Sequence, residues 1–275
     1  MENKFLTHYV KENLRQCQLK QLAILEHIDR ICREHDIPYW LDGGTLLGAV
    51  RHGGFIPWDD DIDIAMRKAD LKRFVQVAQP DLPENLFLQT PDTDPEVHSP
   101  IVKVRDLNSL YVEDADDFRA DYQKGLFVDI FPMVECPDMP ASWVKRLGKG
   151  ISVSYDILHK PHFYSLRMFG EFFWFGAKYC LYRAIWQIIA WLRPHSPYYC
   201  NILINNGYGI RHRKDQTWPL TTIEFEGKPF SAPANPDSYL SDLYRNYMEI
   251  PPESKRKIHA VYVHPQLFHN TTSTP

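Results

Sequence analysis

The feature that most constrains the fold is residues 55–66, FIPWDDDIDIAM, where four aspartates fall within five positions of an otherwise mostly apolar segment. On a β-strand, residues two apart share a face, so Asp61 and Asp63 are expected on one side and the isoleucines that follow them in a core. A surface strand with solvated acids is the alternative, but alternating isoleucines require a buried face. Burial of a carboxylate in a low-dielectric environment costs free energy unless a cation lies beside it. The segment therefore predicts a cation site.

A third acid, Asp129, stands alone in a second apolar segment, GLFVDIFP, at residues 125–132. If this segment forms a strand beside the first, three carboxylates converge, and ligands that are all oxygen favour Mg²⁺ or Mn²⁺ over zinc. The predicted metal ligands and catalytic residues are therefore Asp61, Asp63 and Asp129. The alternative for Asp129 is a buried acid that caps a helix or pairs with Lys103 or Arg105.

A glycine turn precedes the acids, in the segment WLDGGTLLGAVR at residues 40–51. A strand that runs into two glycines, with a helix opening at Thr45, lets backbone amides and the positive helix end face a phosphate. No lysine follows the glycines as in a P-loop, and no third glycine has dinucleotide-binding spacing. Arg51 has the alternative of capping the C-terminus of its own helix. The predicted donor phosphate-binding residues are Gly43, Gly44, Thr45, Arg51 and Lys103.

Helical and strand periodicities alternate along the chain, which predicts an α/β fold (an α+β mixed sheet) in a single catalytic domain over residues 1–275. These segments occupy, in order, residues 13–35, 68–78, 101–106, 109–114 and 125–133. Residues 138–215 interrupt the pattern and are predicted to form a helical, basic insertion or subdomain.

The charge of the chain is distributed unevenly. Residues 139–214 carry eleven Lys or Arg against two acids, whereas the whole chain has a net charge of −4. Such asymmetry indicates a surface that meets something anionic, with a solvated, salt-bridged face as the alternative.

Residues 172–192, FFWFGAKYCLYRAIWQIIAWL, are long enough to span a bilayer. Lys178 and Arg183 lie inside the run, and each would cost roughly 2.5–3.5 kcal/mol at the bilayer centre. We therefore expect a helix on an anionic membrane surface, with a buried helix in the core of the insertion as the alternative. No basic and then apolar leader opens the chain, and its five cysteines are scattered. The missing leader favours the cytoplasm, and the scattered cysteines favour reduced thiols. Together with the helix at residues 172–192, they predict peripheral attachment to the inner face of the cytoplasmic membrane.

The string GGTLLGAVRHGGFIPWDDDIDIAM at residues 43–66 resembles the signature of the LicD-type phosphocholine transferase family, which includes fukutin-related enzymes and has a nucleotidyltransferase fold. Four further segments resemble this family: KVRD (103–106), GLFVDIFP (125–132), FEGKPFSAP (225–233) and YLSDLYRNYMEIPP (239–252). Arg245 and Asn246 depart from the Gly-Asp pair that often follows the tyrosine in relatives, which affects acceptor or packing details more than the chemistry.

The resemblance implies a nucleotidyltransferase-like core that moves phosphocholine, or a similar phospho-alcohol, from CDP-choline or a related CDP-alcohol to a hydroxyl of a cell-surface glycan precursor. Lipopolysaccharide, teichoic acid and capsule are such glycans, and the acceptor could be lipid-linked; nucleic acid is not an expected partner. Mg²⁺ or Mn²⁺ would bridge the donor diphosphate, with Asp129 as a ligand or as the base. His52 is expected to be structural or a partner of a ligand.

Two other functions compete with this interpretation. A D-x-D glycosyltransferase would use a sugar nucleotide, but its fold places a larger nucleotide-binding half before the motif than the 60 residues found here. A binding module without catalysis would not need three acids and a glycine phosphate turn. Tyr39, Trp40 and Trp58 form either a choline-binding cage through cation–π contacts or part of the core.

Overall fold

A computed structural model of the chain describes residues 4–97, 101–114, 116–159 and 165–267. The chain forms two compact units. Unit 1 comprises Met1–Phe131, Leu220–Ala232 and Asn246–Pro275, and unit 2 comprises Pro132–Pro219 and Pro233–Arg245. The insertion predicted at residues 138–215 falls within the longer segment of unit 2.

Helices and strands alternate, which confirms the predicted α/β class. In chain order the first elements are α1 (Lys4–Glu34), β1 (Trp40–Leu41), α2 (Gly43–His52), β2 (Asp63–Arg67), α3 (Lys68–Asp81), β3 (Leu86–Gln89), β4 (Val102–Asp106), β5 (Leu110–Glu113) and β6 (Phe127–Cys136). The chain continues with α4 (Ala141–His159), α5 (Leu166–Leu192), β7 (Tyr198–Asn201), β8 (His212–Arg213), α6 (Lys214–Thr217), β9 (Thr221–Phe225), β10 (Lys228–Ala232), α7 (Pro236–Tyr244) and β11 (Ala260–His264).

The central sheet of unit 1 has the strand order β1-β2-β6-β4-β3. Trp40 of β1 lies opposite Ala65 of β2, and Lys103 of β4 lies opposite Asp129 of β6, both in antiparallel register. Strands β9 and β10 form a hairpin, and β11 pairs with β5. This order places the two acid-bearing segments on neighbouring strands, as the sequence predicts.

The packing of α1 follows its amphipathic pattern, with Leu25, Ile28 and Ile31 fully buried. The helix begins at Lys4, nine residues before the predicted start at residue 13. Ile62 and Ile64 are also completely buried. The predicted core face of the acid-bearing segment is therefore confirmed.

The predicted strand after Pro57 is too long, because β2 begins only at Asp63. Side chains of α1 satisfy the backbone of the residues before it: Gln18 Nε2 donates to the carbonyl of Asp59 and Gln21 Nε2 to that of Asp60, each at 2.9 Å. These carbonyls are bound by a helix instead of a neighbouring strand, so the segment enters the sheet late.

In unit 2, the end of β6 pairs with β7, and β7 pairs with β8. Helix α4 packs against α5 around a small core that includes Val144, Leu147 and Trp186. All five cysteines are free thiols, as expected. In the part of the chain that the structure describes, no helix combines the length and apolarity needed to cross a membrane.

Candidate active site

The site of unit 1 begins where α2 opens. The helix starts at Gly43 and not at the predicted Thr45, because the amide of Leu46 already donates to the carbonyl of Asp42 at 3.0 Å. Gly43 has φ +52°, a left-handed conformation that side chains disfavour. The two glycines thus form the first residues of the helix.

Both glycines lie against carboxylates. A Cβ on Gly43 would stand 2.5 Å from Asp63 Oδ2, and a Cβ on Gly44 would stand 2.5 Å from Asp59 Oδ2. Only glycine lets the two acids approach the first turn so closely. The positive end of the α2 dipole therefore lies next to carboxylates.

Thr45 joins the helix to the strand that bears the acids. It is buried, and its Oγ1 accepts a hydrogen bond from the amide of Asp63 at 2.8 Å. The hydroxyl therefore holds β2 at the start of α2. Phosphate binding by Gly43, Gly44 and Thr45 stays a prediction.

The structure brings Asp61, Asp63 and Asp129 into one cluster. The amide of Asp129 donates to the carbonyl of Ile62 at 2.9 Å, which joins β6 to the residues just before β2. Burial, with the charges of Asp59 and Asp60, raises the pKa of Asp61 to about 8. Burial, with the charges of Asp61 and Asp129, raises the pKa of Asp63 well above its usual range.

Asp59 belongs to the same acidic environment. Burial and then the charge of Asp60 raise the pKa of Asp59 to about 6. The raised pKa values of these neighbouring acids show that the protein leaves much of their negative charge unbalanced. A divalent cation would balance it, and carboxylate oxygens are the ligands that Mg²⁺ and Mn²⁺ prefer. The donor set therefore fits the predicted metal.

Asp60 has a different role from its neighbours. It is buried, and its carboxylate accepts hydrogen bonds from the amide of His259 at 2.9 Å, the amide of Ala260 at 2.7 Å and the hydroxyl of Tyr111 at 2.9 Å. Burial would raise the pKa of Asp60, but hydrogen bonds from the His259 side chain and from these amides outweigh it, so the pKa is lowered. Asp60 therefore anchors the start of β11 beneath the site.

His259 is a site residue that the sequence did not indicate. Its Nδ1 lies 3.3 Å from Asp60 Oδ1 and 3.6 Å from Asp61 Oδ2. The bond to Asp60 is the main cause that raises the pKa of His259 to about 9. No local pattern marks this histidine, which lies about 200 residues from the acids in sequence.

Among the described residues, the potential metal-ligand atoms of one group of side chains lie within 4.8 Å of one another. This group is Asp60, Asp61 and His259. Protonated imidazole does not bind metal, and the carboxylate of Asp60 is already occupied by hydrogen bonds. We therefore interpret His259 as a cation beside Asp61, and metal binding by Asp61, Asp63 and Asp129 stays a prediction.

Lys103 pairs with Asp129, as the alternative interpretation of that acid expected. The Lys103 Nζ lies 2.5 Å from Asp129 Oδ1 and 3.6 Å from the centre of the Phe127 ring. Arg105 instead donates to Gln89 Oε1 at 2.6 Å and to the carbonyl of Gly125 at 2.7 Å. Lys103 is thus at the site, but its ammonium would have to contact Asp129 as well as the predicted phosphate.

Arg51 lies in the last turn of α2 and binds a segment that is distant in sequence. Its Nη1 donates to the carbonyls of Tyr247 at 2.9 Å and Glu249 at 3.4 Å, and Gly53 supplies the C-terminal cap. Burial and then the charge of Arg51 lower the pKa of His52. The structure therefore shows Arg51 fastening residues 247–249 to α2, and its phosphate role stays a prediction.

The aromatic cage suggested for choline is wrong. Trp40 is completely buried, and the hydroxyl of buried Tyr39 donates to Asp29 at 2.6 Å. The ring of Trp58 is covered by the Arg256 guanidinium, whose centre lies 4.2 Å from the ring centroid. Two of these aromatics belong to the core, and the third already has a cation on its face.

A glycine-opened helix beside a sheet that carries clustered carboxylates is the arrangement of a nucleotidyltransferase-type transferase. Residues 36–166 match the family described as LicD/FKTN/FKRP, nucleotidyltransferase domain. These residues therefore form a LicD-family nucleotidyltransferase domain, and the chain is an enzyme of the transferase class.

Two kinds of relative extend this match. Lipopolysaccharide cholinephosphotransferase LicD of Haemophilus influenzae is 29% identical over 280 residues, which cover 91% of this chain and 97% of the relative. Ribitol 5-phosphate transferase FKRP, from mouse and from human, is 54% identical over 35 residues, which cover 13% of this chain and 7% of the relative. The first match spans both units, whereas the second is confined to a short segment.

Proposed function

We propose that this enzyme transfers phosphocholine, or a similar phospho-alcohol, from a CDP-activated donor to a hydroxyl of a cell-surface glycan precursor. The cluster of Asp61, Asp63 and Asp129 at the opening of α2 carries this proposal, because such an acid-rich site suits a metal-bound diphosphate. Support for the substrates comes from the relative that matches nearly the whole chain, whose name describes cholinephosphate transfer to lipopolysaccharide.

In the proposed reaction, the oxygen of an acceptor hydroxyl attacks the phosphorus that bears the choline. The bond from that phosphorus to the bridging oxygen of CMP breaks, CMP leaves with the electron pair, and the hydroxyl proton passes to a base. A phosphodiester and CMP are the products, so the reaction needs no other reactant. Such chemistry depends mainly on positioning and charge neutralisation.

Asp61 and Asp63 are the proposed ligands of one or two divalent ions. When bound, Mg²⁺ or Mn²⁺ would neutralise charge on the diphosphate and lower the pKa of the attacking hydroxyl. The amides of Gly43 and Gly44 open the helix beside these acids and would donate to the donor phosphates. Arg51, at the other end of α2, would supply positive charge.

Asp129 is proposed either as a third ligand or as the base. The Lys103 ammonium, 2.5 Å from Asp129 Oδ1, holds the carboxylate in place and would contribute charge to the transferred phosphate. The two roles predict different effects when the carboxylate is replaced. Asp129→Asn lowers metal affinity if Asp129 is a ligand, and lowers turnover at saturating metal if it is the base.

The experiment is a screen of CMP release by the purified chain. CDP-choline, CDP-ethanolamine, CDP-glycerol and CDP-ribitol are each offered with a lipopolysaccharide acceptor, with Mg²⁺, with Mn²⁺ and with EDTA. CDP-ribitol is included because of the short match to ribitol 5-phosphate transferase. We expect CMP release from one of these donors, with CDP-choline the first candidate, only when metal and acceptor are both present.

UDP-sugars serve as the comparison donors, because a D-x-D glycosyltransferase would release UDP from them. Release of UDP without release of CMP would replace the proposal with that alternative. Release of CMP that persists in EDTA would refute the role of the metal. Product release from none of these donors would contradict the proposed donors altogether.

A further inference from the structure

Helix α5 of unit 2 exposes a long apolar surface. Among the residues of this helix only Trp186 is buried, so it is not the buried core helix that the sequence allowed as an alternative. Trp191 is 80% exposed and Trp174 is 68% exposed. The large exposed apolar side chains are Leu166, Phe169, Phe172, Phe173, Trp174, Leu181, Ile188, Trp191 and Leu192, and we call them the outer face of α5.

The outer face is continuous. At about 100° per residue, all of its members except Phe172 fall within an arc of about 140°. Trp186 projects from the opposite side and belongs to the core of unit 2, with Tyr182 and Ile189 packed nearby. The helix is thus fastened to its unit by one side and presents the other to the surroundings.

Cations border the outer face on both sides. By the same helical geometry, Lys178 lies just beyond one edge of the arc and Arg183 lies beyond the other. Arg167, also at the first edge, is paired with Glu171 at 2.8 Å. Long basic side chains at the borders of an apolar helix face can extend to phosphates while their methylene groups stay in apolar surroundings. Arg183 is exposed, and its guanidinium lies 5.5 Å from the Tyr179 ring.

A basic pocket adjoins the edge that carries Lys178. It has a volume of about 420 Å³, and Lys145, Arg146 and Lys149 of α4 line it together with Lys178. No acidic residue is among the lining residues of this pocket. Such a concentration of positive charge beside an apolar surface suits the phosphates of lipid headgroups.

We infer that the outer face of α5 lies on an anionic lipid bilayer, with the helix parallel to the membrane surface and the basic pocket over the headgroups. The positive charge around the outer face favours a bilayer over a second copy of the chain as its partner. The cations at the borders of this face and in the basic pocket outnumber the one acid of α5, Glu171, which is paired with Arg167. Two copies joined by this face would therefore place like charges together. Tryptophans near both ends of the face also suit the interface between lipid and water.

The experiment is co-sedimentation of the full chain with vesicles, without nucleotide, acceptor or divalent metal. One set of vesicles is phosphatidylcholine and the other adds phosphatidylglycerol. We expect binding to the anionic set that weakens as NaCl rises. Trp174→Glu combined with Trp191→Glu is expected to lower the partition coefficient at least about tenfold. Each substitution puts a charge in place of apolar area that would be buried in the bilayer.

Phe118→Glu is the matched control for the added charge, because Phe118 is 69% exposed in unit 1. Lys149→Gln with Lys178→Gln tests the basic pocket, and Lys72→Gln on α3 is its control. Circular dichroism and melting temperature show whether each variant is folded. Only the α5 and pocket variants are expected to lose binding.

Three results would overturn the inference: wild-type protein that stays in the supernatant with anionic vesicles at low salt, tryptophan variants that bind like wild type, or a lipid-free dimer that Trp191→Glu dissociates. Because no reaction is measured, the inference does not rest on the proposed transfer. Failure of the CMP assay with intact vesicle binding would refute the function alone.

Discussion

Residue identity alone does not determine the role of an acid in this site, because Asp60 and Asp61 are neighbours with opposite environments. Asp60 receives hydrogen bonds from two backbone amides and a tyrosine, which lower its pKa against the effect of burial. Asp61 has burial and like charges around it, and its pKa is raised to about 8. The first acid therefore stabilises the fold, and the second is available to a cation.

At this scale, we predict that Asp61→Asn and Asp63→Asn each lower CMP release by about a hundredfold or more, because both remove proposed metal ligands. The buried isoleucines are untouched, so the melting temperature is not expected to fall below that of wild type. Asp117→Asn, at a partly exposed acid paired with Arg119, is the control. Activity within about tenfold of wild type at saturating Mg²⁺ would reject the ligand assignment.

Asp60→Asn is predicted to act on stability instead. The amide cannot accept from all the donors that now face the carboxylate, and a buried unsatisfied donor results. We expect the free energy of unfolding to fall by about 3 kcal/mol. Urea denaturation measures this change, and a stability equal to that of Asp61→Asn would show that the anchor at His259 and Ala260 contributes little.

At the scale of elements, the opening of α2 depends on two glycines that admit carboxylates against the helix. The hydrogen bond from the Asp63 amide to Thr45 holds β2 at the same place. Helix and strand are therefore joined by side-chain and backbone contacts within a few ångströms of the proposed donor site. A bulky residue in the first turn would separate them.

Gly44→Val is predicted to raise the Michaelis constant for the nucleotide donor. Its Cβ would meet Asp59 Oδ2 at 2.5 Å, which forces the carboxylate or the turn to move and blocks approach of the diphosphate. Gly53→Asn, at the other end of α2, is the control, because Gly53 has φ +69° with open space around it and asparagine accepts that conformation. An unchanged constant in Gly44→Val with normal turnover would place the phosphates elsewhere.

At the scale of the whole molecule, stability is expected to depend on pH through the acidic site. The folded-state pKa values of Asp61, about 8, and His259, about 9, both lie above their unfolded values of about 4 and about 6.5. A group with a raised folded pKa stabilises fully below its unfolded pKa and loses that contribution as pH rises through the folded value. Both groups therefore favour folding less as the solution becomes alkaline.

We predict that the metal-free protein melts at a lower temperature at pH 9 than at pH 6, measured by calorimetry in EDTA. Asp61→Asn should make the melting temperature depend less steeply on pH, because an amide does not titrate. Lys72→Gln, outside the site, should keep the wild-type slope. Equal slopes in wild type and Asp61→Asn would contradict the raised pKa.

Several parts of this molecule follow from the sequence alone, because they depend on local periodicity. Alternation of acids and isoleucines determined which side of the segment is buried, and the glycine pair marked the opening of a helix. The aromatic and basic pattern of residues 172–192 predicted a helix that the structure confirms within α5. Near neighbours in the chain control such features through backbone geometry and side-chain spacing.

Other features were decided only by the tertiary structure. Asp60 is held by Ala260, 200 positions away, and no spacing rule reaches that distance. Strand order placed Lys103 opposite Asp129, which selected one of the partners that the sequence had left open. Gln18 and Gln21 bound the backbone before β2 and shortened the strand that periodicity predicted. The reason is physical: periodicity determines which side of an element seeks burial, whereas packing determines which distant groups meet there and so which charges are balanced.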